Sequence, residues 1–331
     1  MRVTSVRRAV ALLGAAALLV AACGGDDGGD DQAAAGGEDE TQELHHLQVG
    51  IVPVVDVAPL YLGIEKGFFE EEGLDVEPYI AQGSAAIIPA VVSGEQAIGF
   101  SNIVSLLLAE ENDLPVQVIA QGIQATDDPE NDTAAIGVLA DSDITEPKDL
   151  EGKTIAVNTL ANISELTVKA ALAGEGVDVD TLNLVEVPIP DMVGQLESGQ
   201  IDAAGFVEPF VTVGKNEGFR MIIYDRVATE PQMTVATYFT SKEFLESDPE
   251  VVEGFVRAMN RSLEYATEHP DEARDAISQY TEIPPEVLDE VVLPLWQTDL
   301  NVPSIEKLAE LMVTYGISDE APDVDALIAD L

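Results

Sequence analysis

The residues able to do chemistry in this chain are few, and most of them are neutral. There is one cysteine, Cys23, and there are three histidines, His45, His46 and His269. A cysteine-based zinc site and an internal disulfide are therefore excluded. His45-His46 has no other histidine or cysteine close in sequence, so a metal role lacks ligands and a plain junction is expected. No G-x-S-x-G, P-loop or H-E-x-x-H spacing occurs. What recurs instead is an apolar run followed by small or hydrogen-bonding residues. Val54, Val55 and Asp56 are one such group, Gly83 and Ser84 a second, Ser101 and Asn102 a third, and Gln121 and Gly122 a fourth. Further along come Thr159, Ala161, Asn162 and Ser164, then Pro188–Asp191, then Glu208 and Phe210. Hydroxyls, amides and carboxylates in such places can hold a small molecule without breaking a bond in it. Phe210 and Tyr238 offer planar faces for stacking.

These groups need strands and helices to position them. Gln48–Pro53, Val76–Ile80, Ala97–Phe100 and Val116–Ala120 read as strands, separated by helical patterns at Pro59–Glu72, Ala85–Ser93 and Ile103–Glu111. The rhythm then repeats. Strands are expected at Thr154–Asn158, Leu184–Val187, Ala203–Val207 and Met221–Tyr224, with helices at Ser164–Ala173 and Asp191–Ser198. Such βαβα alternation implies mostly parallel sheets flanked by helices. From Lys242 onward proline-punctuated helical patterns dominate, at Pro249–His269, Pro270–Tyr280, Pro284–Leu295, Ser304–Tyr315 and Asp323–Leu331. Ser84 is placed to cap the helix after it, and Asn162 with Glu165 has capping-box character.

A weak internal repeat supports two related lobes. Ser93-Gly94 through Gly99-Phe100 matches Ser198-Gly199 through Gly205-Phe206 with one inserted residue. In both copies glycine can end a helix in the left-handed conformation before a strand. In open α/β sheets ligands bind beyond the carboxyl ends of strands. Two lobes whose strand ends face each other make a cleft.

Composition narrows the function further. The chain of 331 residues carries 62 Asp+Glu against 15 Lys+Arg, a formal charge of −47. A nucleic-acid partner is excluded, because phosphate contacts need cations. The apolar fraction of 46% supplies real cores and excludes wholesale disorder. Arg2, Arg7 and Arg8 precede an apolar stretch, Ala9–Ala22, too short for a membrane span. It ends in Val20-Ala21-Ala22-Cys23, which resembles a bacterial lipobox. Residues 1–22 are thus expected to be a signal peptide, removed after Sec export, with Cys23 lipidated. Residues 23–46 would be the anchor and a flexible, acidic tether.

Three further motifs carry a family resemblance. Pro59-Leu60-Tyr61 through Gly67-Phe68-Phe69 to Gly73-Leu74-Asp75-Val76 resembles the opening of a bacterial solute-binding family. That family serves ABC importers of nitrate, sulfonates, taurine and thiamine pyrimidine precursors. Asp149-Leu150-Glu151-Gly152-Lys153 resembles the start of its second lobe, and Glu208-Pro209-Phe210 a later segment. The resemblance runs from about Leu47 to Ile277. It implies the two-lobed, type II periplasmic binding protein fold, an α/β architecture with two mostly parallel sheets, a helix-rich C-terminus and two crossovers. Lobe I is expected to comprise 47–138 plus 235–331 and lobe II 139–234, with crossovers near Ile136–Ala140 and Thr234–Thr240. The implied partners are a small-molecule ligand, an ABC permease with its ATPase, and a membrane held through the lipid. The protein is expected to act as a monomer and to use no cofactor.

The expected ligand residues are Val54, Asp56, Gly83, Ser84, Ser101, Asn102, Gln121, Gly122, Thr159, Ala161, Asn162, Ser164, Glu208, Phe210 and Tyr238. No arginine occurs between Ala9 and Phe219, and no lysine lies at an expected cleft-facing strand end. With Asp56 and Glu208 both in the cleft, two carboxylates would oppose an anion. A neutral or cationic nitrogen compound, such as a pyrimidine or amine, is the expected ligand. Alternatives are a nitrate, sulfonate or taurine importer subunit, a ligand-sensing lipoprotein, and a pyrimidine-synthesising enzyme of the same fold. The last lacks support here, since the cysteine-rich motif of such enzymes is absent.

Overall fold

A computed structural model describes residues 44–331. The expected signal peptide, Cys23 and the tether up to residue 43 lie outside the described residues. Among the described residues ten strands build two sheets. They are β1 (His45–Ile51), β2 (Leu74–Ile80), β3 (Ile98–Asn102), β4 (Val116–Gln124), β5 (Ala134–Val138), β6 (Thr154–Val157), β7 (Asn183–Glu186), β8 (Ala203–Val207), β9 (Arg220–Ile223) and β10 (Thr234–Ser241). One sheet has the order β2-β1-β3-β10-β4, the other β7-β6-β8-β5-β9. In each, four strands run the same way and the fourth in order, β10 or β5, runs against both neighbours. The sheets are therefore mixed, each with one opposed strand.

Those opposed strands correct the expected lobe boundaries. Ala134–Val138 was expected in lobe I and at a crossover, but it lies inside the second sheet. Thr234–Thr240 was expected as a crossover leading into the lobe I segment 235–331, but the whole strand Thr234–Ser241 lies inside the first sheet. Every residue of both strands is buried. A fully buried, β-branched and apolar run needs ladder partners on both sides for its backbone groups. The crossovers are instead residues 125–133 and the stretch that follows helix Asp225–Thr229, residues 230–233.

The internal repeat holds at the level of structure. β3 and β8 occupy the same place in their sheets, each next to the opposed strand. Gly94 and Gly199, ahead of them, have φ of 74° and 69°. This left-handed backbone suits glycine because it lacks a Cβ.

Lobe I is knit by one large core. Helix Pro249–Glu268 buries Val252, Phe255, Met259 and Leu263 against the sheet-covering helix Ala58–Glu65 and its neighbour. Phe255 packs 5.4 Å from Phe69 and 5.6 Å from Tyr238, ring centre to ring centre. Lobe II has a smaller core on each face of its sheet. Ala135 points to one face, and Ile136 and Val138 to the other, as the two-residue strand period requires.

Other differences are local. The helical pattern from Pro59 to Glu72 forms two helices, Ala58–Glu65 and Phe68–Glu71, parted at Gly67 with φ 76°. The pattern Pro284–Leu295 shortens to Pro285–Leu288, and Leu295 then pairs with Gln124 of β4. β1 begins at His45, so the histidine pair is strand and not tether; His46 lies 3.0 Å from Asp75 and 3.3 Å from Glu77. Among the described residues no helix is long and apolar enough to cross a membrane.

Candidate functional site

A cavity of about 410 Å³ lies between the lobes, at the carboxyl ends of their strands. Lobe I contributes Val54 and Asp56 after β1, Gly83 and Ser84 after β2, and Ser101 and Asn102 at the end of β3. Lobe II contributes Thr159, Ala161, Asn162 and Ser164 after β6. The structure thus brings ten of the fifteen expected residues to one wall system. Ile88, Phe100, Ile163, Ile189 and Val235 line the rest with apolar surface.

Three helix starts surround this cavity. Helix Ile103–Glu111 is capped by Asn102, whose Oδ1 accepts from the Ser105 N–H at 2.9 Å. Helix Ile163–Gly174 is capped by Asn162, which accepts from the N–H groups of Ser164 and Glu165. Glu165 accepts in turn from the Ala161 N–H at 2.7 Å, one residue before the cap, so the expected capping box forms only in its Asn162 half. Ala161 itself has φ 50°, a left-handed backbone uncommon for a residue with a Cβ. Ser84 departs from expectation. It is the first residue of helix Ser84–Val92 and no side chain caps that helix. Its hydroxyl instead accepts from Ser101 Oγ at 2.7 Å and Asn102 Nδ2 at 3.0 Å. Among the described residues nothing bonds the first N–H groups of this uncapped helix at the cavity rim, where an oxygen can use them.

Five expected residues stand outside the cavity lining. Glu208, foreseen as its most telling acid, is buried elsewhere and fully engaged. It accepts from Thr212 N–H at 3.1 Å, Thr212 Oγ1 at 2.8 Å and the Val292 N–H at 3.1 Å. It therefore starts helix Phe210–Asn216 and ties lobe II to the C-terminal segment. Burial raises the Glu208 carboxyl above its ordinary range, and these donors pull it back. Phe210 packs into the lobe II core. Tyr238 is core, 5.2 Å from Phe100 by ring centres. Gln121 is buried and accepts from Thr234 Oγ1 at 3.3 Å. Gly122 lies behind the wall; a Cβ there would come 2.6 Å from Phe100 and 2.7 Å from the Ala236 carbonyl. These last residues support the cavity wall without forming it.

One functional residue was missed. Arg226, in helix Asp225–Thr229 just beyond β9, lines the cavity. The strand-end rule applied to Met221–Tyr224 would have found it. Its Nη1 donates to Thr133 Oγ1 at 2.9 Å. Behind it Asp132 accepts from the N–H groups of Thr126 and Val227, at 3.0 and 2.8 Å. Asp225 is buried beside Thr167. Asp56 is held above the usual carboxylate range by burial, with Arg226 opposing and Asp132 adding to the shift.

Two α/β lobes joined by crossovers, with a cavity between their strand ends, define the periplasmic binding protein fold class. The chain superposes over 87% of its length on the alkanesulfonate-binding protein SsuA of Xanthomonas axonopodis pv. citri, bound to MOPS. That match covers 99% of SsuA, with a TM-score of 0.73 at 15% identity. Within this class the chain belongs to the NMT1/THI5-like family, whose sequence profile matches residues 54–273. It is 27% identical to the formylaminopyrimidine-binding protein of Halalkalibacterium halodurans, over 72% of this chain and 71% of that protein. It is 24% identical to the taurine-binding periplasmic protein of Escherichia coli, over 62% of this chain and 61% of that one. A 4-amino-5-hydroxymethyl-2-methylpyrimidine phosphate synthase of Aspergillus parasiticus is 25% identical over 69% of this chain.

Proposed function

We propose that this protein is the exported, lipid-anchored solute-binding subunit of an ABC importer. It captures a small organic solute between its lobes and hands it to a permease. The observation that carries this reading is the cavity itself. Equivalent strand ends of two lobes supply its walls, and two crossovers join the lobes beside it. A volume of about 410 Å³ lies in the range of pockets that enclose small ligands. The relatives named for binding formylaminopyrimidine and taurine support the same reading, and Cys23 supports the anchor.

The expectation of a cationic ligand loses one of its two supports, because Glu208 is engaged elsewhere. Asp56 remains, and Arg226 now shares the cavity with it. A solute with little net charge fits this pair best. The test is mass spectrometry of solute retained on natively purified protein, followed by calorimetry and small-angle scattering. One solute per chain and a smaller radius of gyration on binding are expected. Chemical turnover of that solute by the protein would replace this reading with the enzymatic one.

A further inference from the structure

Asp56 and Arg226 line one cavity from opposite lobes, and no ion pair or hydrogen bond joins them, although the Arg226 charge favours the Asp56 carboxylate from a distance. Asp56 is 7% exposed and Arg226 6%, so both are more than nine-tenths buried. Among the described residues no other residue forms a hydrogen bond with the Asp56 carboxyl group, and no carboxylate lies within 4.0 Å of the Arg226 nitrogens. Arg226 has one side-chain partner, Thr133 Oγ1. Most of its five N–H donors therefore remain free. Buried ionisable groups with unmet hydrogen-bonding capacity are costly. Two of them aimed into one cavity point to a ligand that completes both.

The surroundings restrict what that ligand is. Asp132 and Asp225 sit behind Arg226 and do not line the cavity. They set negative charge behind the guanidinium, so a simple anion meets opposition from them and from Asp56. A simple cation satisfies Asp56 but leaves the guanidinium donors unmet. A molecule carrying both a donor and an acceptor satisfies both ends and adds no net charge. The apolar walls at Ile88, Phe100 and Ile163 suit the body between its ends.

We propose that Asp56 and Arg226 form a two-ended receptor for a net-neutral, dipolar small molecule, which places N–H donors on Asp56 and an oxygen acceptor on Arg226. This rests on the solute-binding reading and deepens it. Because the two residues belong to different lobes, the ligand that spans them also draws the lobes together. Ligand polarity then becomes the signal for closure.

The test uses a small-metabolite library sorted by charge and screened by thermal shift, with calorimetry on the hits. Cytosine and β-alanine stand in the net-neutral set, propionate and ethanesulfonate among the anions, and ethylammonium among the cations. The best net-neutral ligand should bind wild type more tightly than any ion. Asp56→Asn and Arg226→Gln should each weaken it roughly 10- to 100-fold, the scale of a lost charged hydrogen bond. The two variants should also diverge: Asp56→Asn gains affinity for anions and Arg226→Gln for cations. Arg226→Lys keeps the charge and should retain part of the affinity, which separates recognition from a folding defect. Equal losses for every ligand class in both charge-removing variants would overturn the receptor, as would hits confined to ions of one sign. Absence of any hit in the whole library would instead count against the solute-binding reading beneath it.

Discussion

Asp225→Asn should stabilise the protein at pH 7 and leave it unchanged at pH 4. The reasoning starts from one proton. Thr167 Oγ1 lies 3.0 Å from the Ile163 carbonyl and 2.6 Å from Asp225 Oδ2. A hydroxyl has a single hydrogen, and both neighbours are oxygens. Both contacts are hydrogen bonds together only if Thr167 donates to Ile163 and a protonated Asp225 donates to Thr167. Among the described residues Asp225 Oδ1 has no hydrogen-bond partner. Burial pushes the Asp225 carboxyl up to about 6 from an ordinary 3.8, against the opposing charge of Arg226.

The native state thus holds this proton more tightly than the unfolded chain. Its contribution is fully present below the unfolded value of 3.8 and is lost as pH rises through about 6. A roughly hundredfold difference in proton affinity corresponds to about 3 kcal/mol. Asparagine carries the donor permanently, since its NH₂ can serve Thr167 at any pH. The variant should therefore gain about 1–3 kcal/mol over wild type at pH 7, and the difference should vanish near pH 4. Urea denaturation at four pH values between 4 and 7, followed through the single tryptophan, Trp296, measures this directly. Comparing variant with wild type cancels the titration of every other acid. Two parallel stability curves, or a variant less stable at pH 7, would refute the protonated-carboxyl argument.

Glu208→Gln should lower stability by about 1–3 kcal/mol, because the amide NH₂ must confront one of three donors that now reach a carboxylate. Ligand affinity should stay within about twofold by calorimetry; a large affinity loss with stability intact would return Glu208 to the binding site. Gly99→Ala should cost about 1–3 kcal/mol of stability in urea, since its Cβ would meet Phe239 at 2.5 Å and Ile87 at 2.6 Å. An unchanged midpoint there would mean that the core yields easily around β3. Cys23→Ala should move the protein from the membrane fraction to the medium or periplasm while its thermal unfolding stays the same. Persistent membrane retention, with no acyl label on wild type, would exclude the lipid anchor.

Much of the fold was legible because local and tertiary preferences agreed. Ile103–Glu111 was read to the residue, since Asn102 caps a helix whose apolar residues face the sheet. β8 was read equally well from its Ser-Gly stop and apolar run. β5 and β10 were misplaced because a fully buried strand lacks the alternation that marks a one-sided strand. At the site, residues just after parallel strands were legible because chain direction alone sends them to the cleft. Glu208 also follows a strand, but a carboxylate there can serve the next helix as readily as a ligand. Only the positions of Thr212 and Val292 decide which, and Val292 is 84 residues away in sequence. Arg226 follows β9, beyond the arginine-free stretch from Ala9 to Phe219, and nothing in its local sequence beyond its place after a strand marks it as facing the cleft.

The placement of β10 has a consequence for how the chain assembles as it is synthesised. β3 and β4 are not neighbours; β10 lies between them, pairing Tyr238 with Phe100 on one side and with Ala120 on the other. All five strands of lobe II come from one continuous run, β5 to β9, and this run is made before β10 exists. Lobe I must therefore wait, its sheet split by an unfilled slot, while lobe II can close on local contacts. The late strand then joins partners more than a hundred residues upstream, a slow kind of step for a folding chain. Until it arrives, the facing edges of β3 and β4 are open templates for any passing strand. The strand that follows directly on the return crossover is the keystone of the first lobe, and a nascent chain is most vulnerable to aggregation in the interval before it is set in place.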